Sequence, residues 1–247
     1  MTNHSTGSPD PVRTNDYDAF AEAYSAENEN SPVNAYYERP AMLALAGDVA
    51  GRRILDAGCG SGPLSAALRE RGAVVTGIDS SAGMLALARR RLGDGAALHV
   101  ADLNDPLPFD DGAFDDVVAS LVLHYLEDWG HALAELRRVI RPGGRLLASV
   151  DHPFVAYTIR DPRPDYFATT EYAFEWTFNG RRAPMRFWRK PLHAMTDAFT
   201  TAGFRLTAVS EPQPDPAARE RFPDAFQALS TAPCFLFFVL EAAPADA

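Results

Sequence analysis

Two cysteines in 247 residues, Cys59 and Cys234, are too few for a disulfide framework, and no Cys/His metal spacing accompanies them. No stretch approaches the roughly 18 consecutive apolar residues of a membrane span. The polar, proline-containing segment from Met1 to Asp18 has no apolar core of a secretory leader. The expectation is therefore a cytoplasmic, soluble protein with no membrane partner and no metal. Lysine is almost missing: Lys190 stands alone, and the formal charge is −10. Nucleic acid is a poor partner for such a chain, because phosphate binding needs a basic surface. What the chain has is apolar content, 47%, which is enough to bury a full core as one α/β domain.

Residues 1–15 are small and polar, without periodicity, and read as a disordered tail ahead of a single domain over 16–247. Tyr17, Phe20 and Tyr24 recur at helical spacing, and Asn34 to Val49 carries a second helical pattern with Tyr37, Met42, Leu45 and Val49 on its apolar side. These segments, 16–50, are expected to form a helical cap over the ligand. Alternation follows: strands at 53–57, 74–78, 97–101, 115–120 and 145–150, with helices at 63–71, 82–92 and 129–140. Helix 191–202, strand 204–209, helix 217–229 and a last strand 235–240 complete the pattern, the final strand free to run antiparallel. The predicted fold is α/β, a Rossmann-like, doubly wound, mostly parallel seven-stranded sheet with helices on both faces.

The organising stretch is Arg53-Ile54-Leu55-Asp56-Ala57-Gly58-Cys59-Gly60-Ser61-Gly62-Pro63. A buried strand ends in a carboxylate and is followed by a turn with glycine at alternate positions. Gly58 and Gly60 let a ligand approach the backbone, and the helix behind offers free N–H groups. A dinucleotide fingerprint needs a third glycine at the position of Pro63, so that reading fails. Asp56 beside the turn suits an amino-acid-bearing nucleotide instead.

Leu55-Asp56-Ala57-Gly58-Cys59-Gly60-Ser61-Gly62 resembles the first motif of class I S-adenosylmethionine-dependent methyltransferases. Gly77-Ile78-Asp79-Ser80-Ser81-Ala82-Gly83-Met84-Leu85 is similar to their second motif and Ala101-Asp102-Leu103 to their third. Phe109 to Asp115 and Leu136 to Gly144 match later ones, so the resemblance covers roughly 53–151, closest to the ubiquinone/menaquinone-methyltransferase-like (type 11) branch. It implies S-adenosylmethionine as cofactor and S-adenosylhomocysteine as product. Carried over, Gly58 and Gly60 meet the methionine part, with Asp56 near its amine. Asp79 binds the ribose hydroxyls, with Ser80 beside it, and Met84 packs on adenine. Asp102 accepts from the adenine amine, Leu103 backs the ring, Ser120 borders the methionine moiety, and Tyr17 joins the set from the cap.

For the methyl acceptor, His124 and His152 are the candidate bases, because each follows a strand at the carboxyl edge of the sheet. The insertion 152–190 holds ten of the 26 aromatics and seven basic residues against four acidic. Tyr172, Phe174, Trp176 and Phe178 alternate with polar residues up to Asn179-Gly180, a hairpin turn that pairs Phe178 with Arg181, Trp176 with Ala183, Phe174 with Met185 and Tyr172 with Phe187. This hairpin is read as a lid, the rival being a dimer arm, so the chain is expected to be a monomer or homodimer. Tyr24, Tyr37, Trp176, Arg186 and Trp188 are the candidate acceptor contacts, and the arginines point to an acceptor bearing a carboxylate. The function expected is methyl transfer to an oxygen or nitrogen of a small molecule, in specialised metabolism. Against it stand a methyltransferase fold that binds cofactor without transfer, as a cyclase or regulatory module, and, disfavoured by Pro63, a nicotinamide oxidoreductase.

Overall fold

The computed structural model describes residues 15–178 and 181–243. Helices α1 (Ala21–Asn30) and α2 (Arg39–Ala46) precede strand β1 (Arg53–Ala57). Then come α3 (Pro63–Glu70), β2 (Val74–Asp79), α4 (Ala82–Leu92), β3 (Ala97–Val100), β4 (Phe114–Ser120), α5 (Gly130–Val139) and β5 (Ile140–Asp151). A short α6 (Pro153–Thr158) leads into the hairpin β6 (Thr170–Phe178) and β7 (Arg181–Arg189). After it lie α7 (Leu192–Thr201), β8 (Phe204–Ser210), α8 (Ala218–Arg221), α9 (Pro223–Thr231) and β9 (Phe235–Ala242).

Seven strands form one sheet in the order β3-β2-β1-β4-β5-β9-β8, and β9 runs antiparallel to both neighbours while the other pairings are parallel. Period-two alternation sends successive side chains to opposite faces. Leu55, Val117, Leu146, Leu236 and Phe238 pack with Leu133 and Leu136 of α5 and Phe199 of α7. Ile54, Val118, Leu147 and Phe237 pack on the other face with Met42 of α2 and Leu64 and Leu68 of α3. The chain runs from β1 to β2 on one side and on to β4 on the other. That reversal opens a crevice at the carboxyl ends of β1 and β4.

The boundaries differ from expectation where pairing or proline intervenes. β5 starts at Ile140, because Ile140 pairs with Phe114 across a bulge and draws Pro142-Gly143-Gly144 into the ladder. The helix expected at 217–229 is broken at Phe222, and Pro223 opens α9 at a position where its missing N–H costs nothing. The segment before α2 is a π-helical turn over Asn34–Glu38, a geometry found often at functional sites. The hairpin has the expected register throughout, while its Asn179-Gly180 turn lies outside the described residues. Residues 1–14 of the expected tail also lie outside them. Asn15 does not belong to a disordered tail: its amide side chain donates to Arg186 O (3.0 Å) and accepts from Arg186 N (2.8 Å), and its own N–H donates to Pro184 O (3.2 Å). It thereby satisfies part of the open edge of β7.

At the opposite, amino end of the sheet, Asp116 of β4 is buried and clamped by two arginines. Arg52 donates to both carboxylate oxygens, and Arg145 donates to both at 2.9 Å. Burial pushes the Asp116 carboxyl up, but the hydrogen bonds from Arg145 and Arg52 outweigh it and hold the group below the ordinary carboxylate range. Its contribution to stability is therefore present above the unfolded value and is lost as pH falls through the folded one. Asp116→Ala strands two cationic side chains against the sheet and should cost about 3 kcal/mol, as expected for breaking one side of a buried pair. Urea unfolding at neutral pH and at successively lower pH checks this: the gap between wild type and variant should start to narrow only below the ordinary carboxylate value.

Candidate active site

The glycine turn after β1 is set by three hydrogen-bonded contacts from β2. Ile78 O accepts from Gly58 N (2.8 Å) and Cys59 N (2.9 Å), and Asp79 Oδ2 accepts from Gly60 N (2.8 Å). Gly58 takes φ +76°, and a Cβ there would lie 2.5 Å from Val122 Cγ2, so neither the backbone conformation nor the space admits a side chain. Cys59 is buried, which pushes its thiol far above the usual range and makes it inert. The other Asp79 oxygen accepts from Ser81 N (2.9 Å), and the Ser81 hydroxyl caps α4 by accepting from Met84 N (3.0 Å).

One cavity at this turn is lined by Tyr17, Asp56, Gly58, Gly60, Asp79, Ser80, Met84, Asp102, Leu103 and Ser120, the whole set of sequence-predicted cofactor residues. It also carries residues that the sequence did not single out: Glu38 and Arg39, Asn28, Asn34, Asn104, Val122 and Tyr125. Glu38 is buried and accepts from the hydroxyls of Ser120 and Ser149, each at 2.7 Å. It arrives from a helical segment far from every motif, and only the tertiary fold brings it here. Arg39 donates to Asn28 Oδ1 (3.1 Å) and supplies the cavity's only arginine or lysine among the described residues.

Four carboxyls thus line one cleft, Glu38, Asp56, Asp79 and Asp102, and the first three are raised by burial. Burial pushes Asp56 up to about 7, with Glu38 and Asp79 adding to the rise and the Ser65 hydroxyl (2.6 Å) opposing it. Burial likewise raises Glu38 and Asp79. Arg39 partly offsets Glu38, but no cation among the described residues acts on Asp56 or Asp79, and the ammonium and sulfonium of S-adenosylmethionine are charges of the missing sign. The residues present fit that group.

A second cavity shares Tyr24, Asn28, Asn34, Leu121 and Tyr125 with the first and continues to His124, Asp151, Phe174, Trp176, Phe187 and Phe235. Leu121 has φ +49°, a conformation rare for a side chain with bulk, which turns the backbone sharply after β4 between the two cavities. Tyr24 and Trp176 lie parallel, 6.2 Å between ring centroids. Tyr17 and Tyr125 share a short hydroxyl–hydroxyl hydrogen bond beside them.

The other acceptor candidates separate in space. Tyr37 is core, stacked on Phe235 and edge-on to Phe237, and lines neither cavity. Arg186 and Trp188 lie on the far face of the hairpin, and Arg186 pairs with Glu171 (2.9 Å). His152 lines neither cavity: its Nδ1 accepts from Phe154 N (3.3 Å) at the start of α6, and Nε2 meets Glu211 (2.9 Å). A histidine so engaged is a helix cap, which corrects its reading as a base. His124 does line the second cavity, edge-on to Phe187 and Tyr125, but its Nδ1 accepts from Asp151 N (3.2 Å). Burial lowers its pKa, so the ring is neutral and carries its hydrogen on Nε2, as a donor. That geometry does not suit the general base it was expected to be. Of the arginines that suggested a carboxylate-bearing acceptor, Arg160 is spent on Glu171 O, Arg182 on Glu175, Arg186 on Glu171 and Arg189 on three backbone carbonyls. No group of side chains able to hold a metal occurs among the described residues, nor is any helix there long and apolar enough to cross a membrane.

Comparison with known proteins agrees with this geometry. Residues 55–148 match a family model described as a methyltransferase domain. The chain is 43% identical over 134 residues to a demethylmenaquinone methyltransferase of Clavibacter sepedonicus, covering 53% of this chain and 54% of that one. It is 40% identical over 136 residues to a malonyl-[acyl-carrier protein] O-methyltransferase of Serratia marcescens, covering 53% and 52%. The match thus spans about half the length of these curated relatives. The crystal structure of an S-adenosylmethionine-dependent methyltransferase from Mesorhizobium loti superposes with a TM-score of 0.66 at 26% identity, over 87% of this chain and 99% of that one. With the motif order, the sheet topology and the cleft all in agreement, residues 55–148 carry a methyltransferase domain, and the chain as a whole is similar to S-adenosylmethionine-dependent methyltransferases.

Proposed function

We propose that this protein transfers a methyl group from S-adenosylmethionine to an oxygen or nitrogen atom of a small molecule. The observation that carries the reading is the meeting of two cavities along Tyr24, Leu121 and Tyr125, one lined by every predicted cofactor residue and the other by rings and a buried histidine. The bound cofactor supplies an electrophilic methyl on sulfur, and in-line displacement asks the protein chiefly for alignment. Asp79 takes the ribose hydroxyls; Met84, Asp102 and Leu103 take adenine. Asp56 receives the amine, and Arg39 stands at the same end for the carboxylate. His124 offers Nε2–H to the acceptor and holds it in place.

The hairpin serves as a lid. Its Met185, Phe187 and Tyr172 are buried against Tyr17, Phe20, Tyr24 and Tyr125 of the same chain, and among the described rings of that face Phe174, 43% exposed, is the main uncovered one. A dimer arm would present that face outward. The names of the relatives divide between demethylmenaquinone and a malonyl-carrier protein, so they select no acceptor for this chain. Cofactor binding without transfer remains the rival that product formation separates: S-adenosylhomocysteine should appear with some member of a panel of phenols, amines and acids, and its absence throughout in the presence of tight cofactor binding would sink the proposal.

Two binding measurements test the cofactor end. Asp79→Ala should weaken S-adenosylmethionine at least about tenfold in calorimetric titration, the loss of a charge-assisted hydrogen-bond pair. Asp56 gives a pH signature. In the free protein its raised pKa means that stability from this group falls as pH rises from the unfolded value toward about 7. The cofactor's ammonium favours the ionised carboxylate, so affinity should climb with pH up to about 7, by at most about tenfold per unit, with a proton released on binding at pH 6. Asp56→Asn should flatten that dependence; a profile equally steep in the variant would remove the assignment. At the acceptor end, His152→Gln should leave turnover within about twofold, whereas His124→Ala should lower it at least about tenfold.

A further inference from the structure

The second cavity has a chemical character that the methyl-transfer reading alone does not require. Its walls are rings: Tyr24 and Trp176 in parallel, with Phe174, Tyr125 and Phe187 around them. Such walls take flat, polarisable molecules. Every formally charged side chain on its lining is acidic, namely Glu27, Asp151 and Glu175, and no arginine or lysine lines it among the described residues. Glu175 and Glu27 are both exposed, and Glu175 pairs with Arg182 (3.3 Å) on the outer face of the hairpin; Asp151 is the least exposed of the three.

Among the polar atoms there, two on adjacent residues of the inner wall are left for a ligand. His124 is only 6% exposed, and with Nδ1 occupied by the Asp151 backbone its Nε2 has no partner among the described residues. The Asp151 carboxylate accepts from the Tyr172 hydroxyl through Oδ2 (2.5 Å), and its Oδ1 has none. The pair offers one donor and one anionic acceptor on the same wall, since the two residues are in contact (Nδ1 to Oδ2 3.6 Å). A ligand that satisfies both presents an accepting atom next to a donating N–H. A carboxylate satisfies neither the sign of the field nor Asp151, and would meet it at the cost of repulsion.

We propose that the acceptor is an amino-substituted, planar nitrogen heteroaromatic without a carboxylate, its N–H held by Asp151, its ring nitrogen by His124 Nε2–H and its faces by the hairpin rings. The inference rests on the methyl-transfer reading for what happens next. The nitrogen lone pair forms the new N–C bond as the C–S bond breaks, and that bond's electron pair stays on sulfur. The surplus proton on nitrogen passes to the Asp151 carboxylate and on to solvent. Asp151 thus takes the proton-accepting role that the bonding of His124 leaves open.

The test is equilibrium binding of three probes that share one ring: 2-aminoquinoline, 2-methylquinoline and quinoline-2-carboxylate, with S-adenosylhomocysteine present, followed by the probes' own fluorescence. The amine should bind best, and the carboxylate about tenfold or more weaker than the amine. Asp151→Asn, isosteric and uncharged, should bring the amine and the carboxylate to within about threefold. A second measurement needs no variant: the preference of the wild type for the amine over the carboxylate should shrink between roughly 20 and roughly 500 mM salt. Carboxylate binding as tight as amine binding, no saturable binding by any probe, or a preference that survives Asp151→Asn in a folded variant would overturn the proposal. Cofactor titration and S-adenosylhomocysteine formation, run separately, show whether the methyl-transfer reading has failed instead, because the probe order is read without turnover.

Discussion

The site depends on the close approach of three backbone segments: the turn at 58–62, the end of β2, and the residues just after β4. Gly58 and Val122 are so near that a single added carbon would overlap, and the turn's N–H groups are used up on Ile78 O and Asp79 Oδ2. With the turn held in this way, Asp56 and Asp79 face one cleft, and Leu121 must bend through a left-handed conformation to clear it. Stability is concentrated elsewhere, at the amino end of the sheet, where Asp116 binds Arg52 and Arg145 and both faces are packed with aliphatic side chains. The carboxyl end is left polar, and its carboxyls carry raised pKa values that a bound cation would relieve.

The helical segments before β1 and the hairpin after β5 close the cleft from two sides, and they do so through aromatic contacts with each other. Tyr17 touches Tyr24 and Tyr125; Tyr24 lies on Trp176; Phe187 lies against His124, Tyr125 and Tyr172. Rings give large contact area with few rotors to freeze, so these segments are held without a large apolar core of their own. The Asn15 bonds to β7 add a backbone tether on the outer edge of the same hairpin.

Much of this was legible in the sequence. Strand and helix periods gave the sheet, the hairpin register followed from a two-residue turn and alternation, and the ordered motifs gave eight lining residues of the cofactor cavity, with Ser120 and Tyr17 added from the end of β4 and the cap. These features are local: each depends on spacing within a few residues, and spacing is what a sequence displays.

What only the tertiary structure decided lies in side chains whose partners come from distant segments. Glu38 enters the cleft from a π-helical turn and meets Ser120 and Ser149, more than eighty residues on. His124 and His152 look alike in the sequence, each just past a strand, yet one faces a cavity as a donor and the other caps a six-residue helix. Arg186 and Tyr37 have the chemistry of ligand contacts and spend it on Glu171 and on the core. Local pattern determined the elements and the cofactor turn. Long-range packing determined which polar atoms are satisfied within the fold and which remain for a ligand, because hydrogen-bond saturation is a property of the assembled molecule.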